Sequence, residues 1–158
     1  MNKKIEYFAI VALDLNQGIG YKNNILYYNK IDLNIFKQYS TYIQNCIVGR
    51  VTFETLPKVL SKTRKFHIFT RNSQVFDNAY CVNNKNDLDQ NKYVVVGGNE
   101  IYKMFSNDVN VWVITTHKKQ SILVDTYFDK TVFEKIISNN QSIELYEDED
   151  ILVKIYFK

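Results

Sequence analysis

The stretch Val94-Val-Val-Gly-Gly-Asn-Glu-Ile-Tyr102 decides the fold. Tyr93 and the three valines form an apolar run with no alternation, which reads as a strand buried on both faces. Gly97 and Gly98 follow it, and Glu100–Phe105 reads as a helix. A buried strand that passes through glycine into a helix is the unit of a parallel sheet covered by helices. Small residues at such a junction let an anion approach the free N–H groups of the helix start, where the dipole also favours negative charge. The spacing is not Gly-x-Gly-x-x-Gly, so a tight turn without a ligand is the competing reading. Glu100 strengthens the helix start, but it would repel a phosphate if it faced inward.

The same pattern recurs upstream in Val48-Gly-Arg-Val-Thr-Phe-Glu54. Cys46-Ile-Val is a short buried strand, Gly49 ends it, and Val51–Leu56 is a short helix stopped near Pro57. Arg50 sits where the helix dipole disfavours a cation, whereas its forked donors suit a phosphate. Thr52 adds a hydroxyl. Two glycine-gated helix starts in one sheet suit a dinucleotide with two phosphate regions. Thr70-Arg71-Asn-Ser73 follows the strand Lys65–Thr70 and could take an extra phosphate, or be an ordinary polar loop.

Further out, Ile5–Leu13 is a strand and Asp14–Asn29 a long polar loop holding Gly18 and Gly20. Ile31–Ile43 has apolar residues at 31, 35, 39 and 42, a helical period. Ala79–Val82 and Val109–Thr116 read as strands. Val132–Ile137 and Ile151–Phe157 read as late strands, and Glu147–Asp150 as a solvated turn. The sum is an α/β fold with a mostly parallel sheet, helices on both faces and an antiparallel finish at the C-terminal end. Ligands of such sheets bind at the carboxyl ends of the strands. That edge gathers Leu13–Gly20, Gly49–Thr52, Thr70–Ser73, Gly97–Ile101 and Thr116.

Composition narrows the function classes. The 158 residues are 46% hydrophobic and 23% charged, enough for one domain spanning 1–158 with a real core. A net charge of +3, with no basic run interleaved with aromatics, argues against nucleic acid as a partner. No run approaches the length of a membrane span. Glu6 interrupts the first apolar run, which reads as a strand rather than a signal peptide. Cys46 and Cys81 sit in strand-like runs and read as free buried thiols, consistent with the cytoplasm. With two His and two Cys far apart, no metal site is expected.

Asp32 is the acidic residue that stands out. It begins a helix, with Ile35 and Phe36 a turn on, so its carboxylate shares a face with apolar side chains. Such a carboxylate can read a heterocycle carrying paired N–H donors. The competing reading is a cap, with Asn29 as N-cap and Asp32 three residues later. His67, mid-strand, and His117, with no visible partner, are assigned no role.

In order and approximate spacing, five motifs resemble those of dihydrofolate reductase. They are Ala12-Leu-Asp-Leu-Asn-Gln-Gly-Ile-Gly20, Asp32-Leu-Asn-Ile-Phe-Lys37, Val48–Glu54, Val96–Tyr102, and Thr116 with Asp125-Thr-Tyr-Phe128. The resemblance covers nearly the whole chain. It implies a central eight-stranded sheet, a monomer, and reduction of 7,8-dihydrofolate to tetrahydrofolate by NADPH, with hydride transfer to C6 and protonation of N5. It implies that Asp32 holds the pterin, supported by Thr116, while Ile10, Val11, Ala12, Leu33, Phe36, Leu56, Leu60, Val96 and Tyr102 line the substrate pocket. Arg64, assisted by Lys37, would take the substrate's glutamate carboxylate. Ala12, Ile19 and Gly20 would hold the nicotinamide. Gly49, Val51, Thr52, Gly97, Gly98, Asn99, Glu100, Ile101 and Tyr102 would wrap the pyrophosphate region, with a cis bond between the two glycines. Arg50, Thr70 and Arg71 would take the 2′-phosphate.

The chain also departs from the family pattern. Leu26-Tyr27 replaces a Pro-Trp pair, leaving Tyr27 to cover the nicotinamide pocket and hold a water. Phe53 stands where the family often has Trp, and Lys30 replaces a proline. The riboflavin-pathway reductase of the same fold is an alternative, opposed by Asp32-Leu33 with Phe36. A nucleotide-binding module that has lost catalysis is another, opposed by the retained carboxylate and cofactor frame.

Overall fold

In a computed structural model, which describes residues 4–72, 74–76 and 78–158, the chain begins with β1 (Glu6–Leu13) at the middle of a sheet. The polar loop after it contains a short strand, β2 (Gly18–Gly20), and leads into α1 (Lys30–Ile43). Then come β3 (Asn45–Gly49), α2 (Arg50–Thr55), β4 (Lys65–Phe69), β5 (Ala79–Val82), β6 (Lys92–Gly97) and α3 (Asn99–Phe105). The chain closes with β7 (Val109–His117), β8 (Thr126–Tyr127), α4 (Lys130–Asn139), β9 (Gln141–Glu147) and β10 (Ile151–Phe157).

The main sheet has the order β5-β4-β3-β6-β1-β7-β10-β9. All pairs from β5 to β7 are parallel, and β10 runs antiparallel to both β7 and β9. The chain leaves β1, builds β3 to β5 outward, then returns to lay β6 between β3 and β1. That return makes a topological switch point at the carboxyl ends of the strands, the place where ligands of such sheets bind.

Period-two alternation sorts the strands onto two cores. In β1, Tyr7, Ala9, Val11 and Leu13 face one layer, shared with α3 and α4 through Ile101, Tyr102, Phe105 and Ile136. Ile10 faces the other, with Ile35 of α1 and with Phe53, next to Leu56, from the α2 segment. Helices therefore cover both faces. The period over 31, 35, 39 and 42 fails at its last member. Tyr42 is 83% exposed, and Ile43 packs instead.

Val132–Ile137 is helical, not a strand. Asp129 accepts a hydrogen bond from the Val132 backbone N–H at 2.9 Å and so caps α4. The doublets Val132-Phe133 and Ile136-Ile137 fit a period of 3.6 rather than 2, and Val132, Phe133 and Ile136 pack on the core. The antiparallel partner of β10 is β9, whose residues are all exposed except Tyr146, so no apolar pattern announced it. Glu147–Asp150 is the turn between them, closed by Asp148 Oδ1 accepting from the Asp150 and Ile151 N–H groups. Cys46 is buried, whereas Cys81 is only partly so, and both are free. No described helix is long and apolar enough to cross a membrane.

Candidate active site

Asp32 lies in the first turn of α1, beside the switch point, and is 8% exposed. The cap reading holds for its neighbour. The Asn29 side chain accepts from Ile31 N and Asp32 N at 3.0 and 3.1 Å. With the cap supplied by Asn29, the Asp32 carboxyl is free to meet the sheet. Burial raises its pKa above the ordinary range, while a hydrogen bond from the Thr115 hydroxyl and the charge of His117 pull it back.

The threonine whose hydroxyl meets the Asp32 carboxyl is Thr115, not Thr116. In β7, Val113, Thr115 and His117 share the face that looks toward α1, since Val113 packs in the same core as Ile10. Thr116 pairs with Leu13, whose side chain faces the opposite layer. The same parity corrects Val11, which packs in the layer of Tyr102 and Trp112 and cannot present its side chain to a pocket beside Asp32. Ile10 and Ala12 are in the opposite phase.

Phe36 and Ser40 continue the row that Asp32 begins, one and two steps of four residues along α1. Arg64, 6% exposed, closes the row's far end. Its guanidinium lies 5.7 Å from the Phe36 ring centroid, Nε donates to Ser40 Oγ at 2.7 Å, and Nη1 donates to Thr63 Oγ1 at 3.0 Å. No described carboxylate forms an ion pair with it, and burial lowers its pKa. At 1.5 Å rise per residue, Asp32 and Ser40 are about 12 Å apart. A buried carboxyl and a buried guanidinium thus stand at the two ends of one row along α1. Leu56, Leu60 and Val96 pack half-buried against the core on this side, while Leu33 and Lys37 are exposed.

Tyr102 braces the sheet. It is 4% exposed, and its hydroxyl lies 2.6 Å from the Ile10 carbonyl oxygen and 2.9 Å from that of Val96, donating between the ends of β1 and β6. Burial, then the charge of Asp32, raise its pKa.

The two glycine-gated helix starts meet. The Gly97–Gly98 bond is cis, and Gly97 has φ +115°, a conformation that side chains avoid. A Cβ at Gly98 would sit 3.2 Å from Thr52 Oγ1, and one at Gly49 would sit 3.2 Å from Ile101. The opening turns of α2 and α3 therefore lie side by side, and glycine is what permits it. Arg50 is turned to Glu54, at 3.0 Å, in an exposed pair of little energetic worth. The Asn99 side chain accepts from Asp129 N at 3.0 Å, so it ties α3 to α4. Arg71 and Glu100 are exposed and Thr70 is half-buried. Ser73 lies outside the described residues.

One buried acid escaped sequence reasoning. Asp14, 1% exposed, accepts through Oδ1 from Asn16 N and Gly18 N, each at 2.8 Å, and through Oδ2 from Ser121 N at 3.1 Å. It fastens the loop that carries Ile19 and Gly20 to the segment after β7. The pairing of β2 with β8 and the bond from Lys22 N to Asp125 Oδ2 at 2.9 Å fasten the next stretch. Asp14 is in phase with Ile10 and Ala12, a signal of its inward direction that the sequence did contain.

A doubly covered sheet with paired glycine turns at its mouth, beside a buried carboxyl and a distant buried guanidinium, suits an α/β protein that binds a nucleotide and a small polar ligand. Comparison with known proteins narrows this. The family model for dihydrofolate reductase matches residues 6–157. A dihydrofolate reductase of Buchnera aphidicola subsp. Baizongia pistaciae is 31% identical, over 92% of this chain and 96% of that protein. One from Mycoplasma genitalium is 27% identical, over 95% and 96%. Among solved structures, dihydrofolate reductase from Enterococcus faecalis complexed with NADP(H) and RAB-propyl superposes with a TM-score of 0.74 at 21% identity, covering 96% of this chain and 95% of that one. The chain belongs to the dihydrofolate reductase family. It is an NADPH-dependent oxidoreductase that reduces 7,8-dihydrofolate to tetrahydrofolate, and nothing in the comparisons favours the riboflavin-pathway or inactive readings.

Proposed function

We propose that the chain carries out this reduction as a cytoplasmic monomer with Asp32 and Thr115 holding the pterin. What supports the reading most is Asp32 itself, a buried carboxyl that heads the α1 row ending at Ser40, the partner of buried Arg64. Asp32 accepts hydrogen bonds from the exocyclic amino group and the adjacent ring N–H, and Thr115 holds it in place. Ile10, Ala12, Leu33, Phe36, Leu56, Leu60 and Val96 flank the ring and its linker. Arg64 pairs with the glutamate carboxylate, with Lys37 nearby.

NADPH, when bound, supplies the hydride that C6 receives. The residues present fit such a cofactor. A Cβ at Gly98 would crowd Thr52 and one at Gly49 would crowd Ile101, so the two glycines let the α2 and α3 starts approach each other. The α2 and α3 starts would hold the pyrophosphate region. Arg50, released from Glu54, would take the 2′-phosphate with Thr70 and Arg71. Ala12, Ile19 and Gly20 would seat the nicotinamide, with Tyr27 above. Holding donor and acceptor together converts an encounter into an oriented pair, and excluding bulk water strengthens the field of Asp32. Asp32 keeps the ring in a form that favours protonation at N5, with a water handing on the proton.

A steady-state assay comparing NADPH with NADH tests this reading. NADPH should be oxidised only when dihydrofolate is added, and NADH used poorly. Turnover with a ribosylaminopyrimidine in its place, or NADPH binding without turnover, would overturn it.

A further inference from the structure

The end of β7 carries an imidazole that the reduction as described leaves unused. His117 is 5% exposed and shares the strand face of Thr115, which meets the Asp32 carboxyl. Tyr27 covers it, with ring centroids 5.0 Å apart and planes at 44°. The Lys119 ammonium lies 5.6 Å from the centroid of that same Tyr27 ring. Tyr27 stands where the family pattern has Trp, so the residue over the nicotinamide pocket rests on a titratable ring.

The charged groups that face His117 come from every element around it. Asp32 belongs to α1, Asp14 follows β1, Asp150 lies in the β9–β10 turn, and Lys119 follows β7 itself. Burial, the largest influence, holds the His117 pKa below its ordinary value with help from Lys119, and the carboxylates of Asp32, Asp14 and Asp150 partly offset it. The influence is mutual, since His117 in turn favours the ionised form of Asp32. Two groups coupled in this way titrate as a pair.

We propose that His117 is a positioning residue for the reduction: its ring, on the same β7 face as Thr115, seats Tyr27 beside the Asp32 end of the site. The inference rests on the assignment of Asp32 to the pterin. Without the histidine, Asp32 would take up a proton at higher pH, and the acid side of the activity profile would move upward. Without the carboxylate of Asp32, His117 would lose its proton at lower pH.

The chain has two histidines, which makes the test direct. His67 serves as the internal reference, because it packs between Tyr80 and Tyr93 and hydrogen-bonds to Asn45 at 3.2 Å, away from Asp32. Imidazole proton resonances of the NADPH-bound enzyme are followed against pH for the unaltered protein and for Asp32→Asn. The His117 midpoint should fall, because the Asp32 carboxylate favours the imidazolium, while His67 stays put. In the second arm, His117→Gln and His117→Phe are assayed with dihydrofolate across pH. Both should move the acid limb of kcat upward by a similar amount, and Phe, which keeps a ring under Tyr27, should disturb KM less than Gln.

A His117 midpoint indifferent to Asp32→Asn, or a His117→Gln profile that superimposes on the original, overturns the proposal. If the His117 variants do not fold, the resonance arm decides alone. Full turnover by Asp32→Asn would instead overturn the pterin assignment, whatever the histidine does.

Discussion

The hydroxyl of Ser40 accepts a hydrogen bond from Arg64 Nε at 2.7 Å, just over two helical turns below Asp32. Ser40 also donates to the Phe36 carbonyl oxygen at 2.6 Å, so it links the helix backbone to the guanidinium. Arg64 is thereby held by Ser40 through Nε and by Thr63 through Nη1, with none of its donors committed to a described acid. Arg64→Leu should raise KM for dihydrofolate by roughly 10- to 100-fold, the worth of a charge-assisted pair, with kcat little changed. A pterin without the glutamate tail should be turned over equally by both proteins. Equal KM values for dihydrofolate would remove Arg64 from the substrate site.

Asp32→Asn should lower kcat at neutral pH by ~10²–10⁴, the range for a positioned acid–base group. Its stability should move the other way. Burial raises the native pKa of Asp32 above the ordinary 3.8. Between that value and the native one, the folded state retains a proton that the unfolded chain has lost, so rising pH erodes stability. Asparagine removes that penalty. Urea melts should place the variant's midpoint at or above the original at pH 7, with the difference shrinking in acid. Unchanged turnover with a lower midpoint would reduce Asp32 to a helix-start residue.

Thr115 and Thr116 are adjacent but face opposite layers, so their valine variants should separate cleanly. Thr115→Val removes the hydroxyl that favours ionised Asp32. It should lower kcat about tenfold, as for a lost hydrogen bond of ~1.5 kcal/mol, and raise the acid limb of the pH profile. Thr116→Val should leave that limb in place. The reverse ranking would restore Thr116 as the partner of Asp32.

Gly98→Ala tests the cofactor cradle. The new methyl would meet Thr52 Oγ1 at 3.2 Å, tighter than ordinary packing. Displacing either turn should weaken NADPH binding by about tenfold or more, on the order of an overpacking cost of 1–3 kcal/mol. Fluorescence titration with NADPH measures it, and circular dichroism checks the fold. An unchanged Kd in a folded variant would mean that the phosphates bind elsewhere.

Much of this molecule is legible along the chain because local chemistry is enough to specify it. Continuous apolar runs marked β1, β3, β6 and β7 as doubly buried strands. Gly49, Gly97 and Gly98 marked their exits, and the acid at 32 marked the head of α1. These are properties of neighbours in sequence, and the resemblance of five motifs in order added the activity. Where the pattern was short or polar, it misled. Val132–Ile137 looked like a strand until the Asp129 cap is counted, and β9 has almost no buried residue to betray it.

The tertiary structure alone decided which way side chains point. Thr115, Asp14 and His117 come to the site, and Thr116 and Val11 leave it, through the parity and register of β1 against β7. A one-residue change of phase reverses every side chain on a strand, and a run apolar on both faces carries no mark of its phase. The bond from Arg64 to Ser40 likewise joins residues 24 positions apart, a closeness that only the packing of α1 against the sheet at β3 and β6 creates.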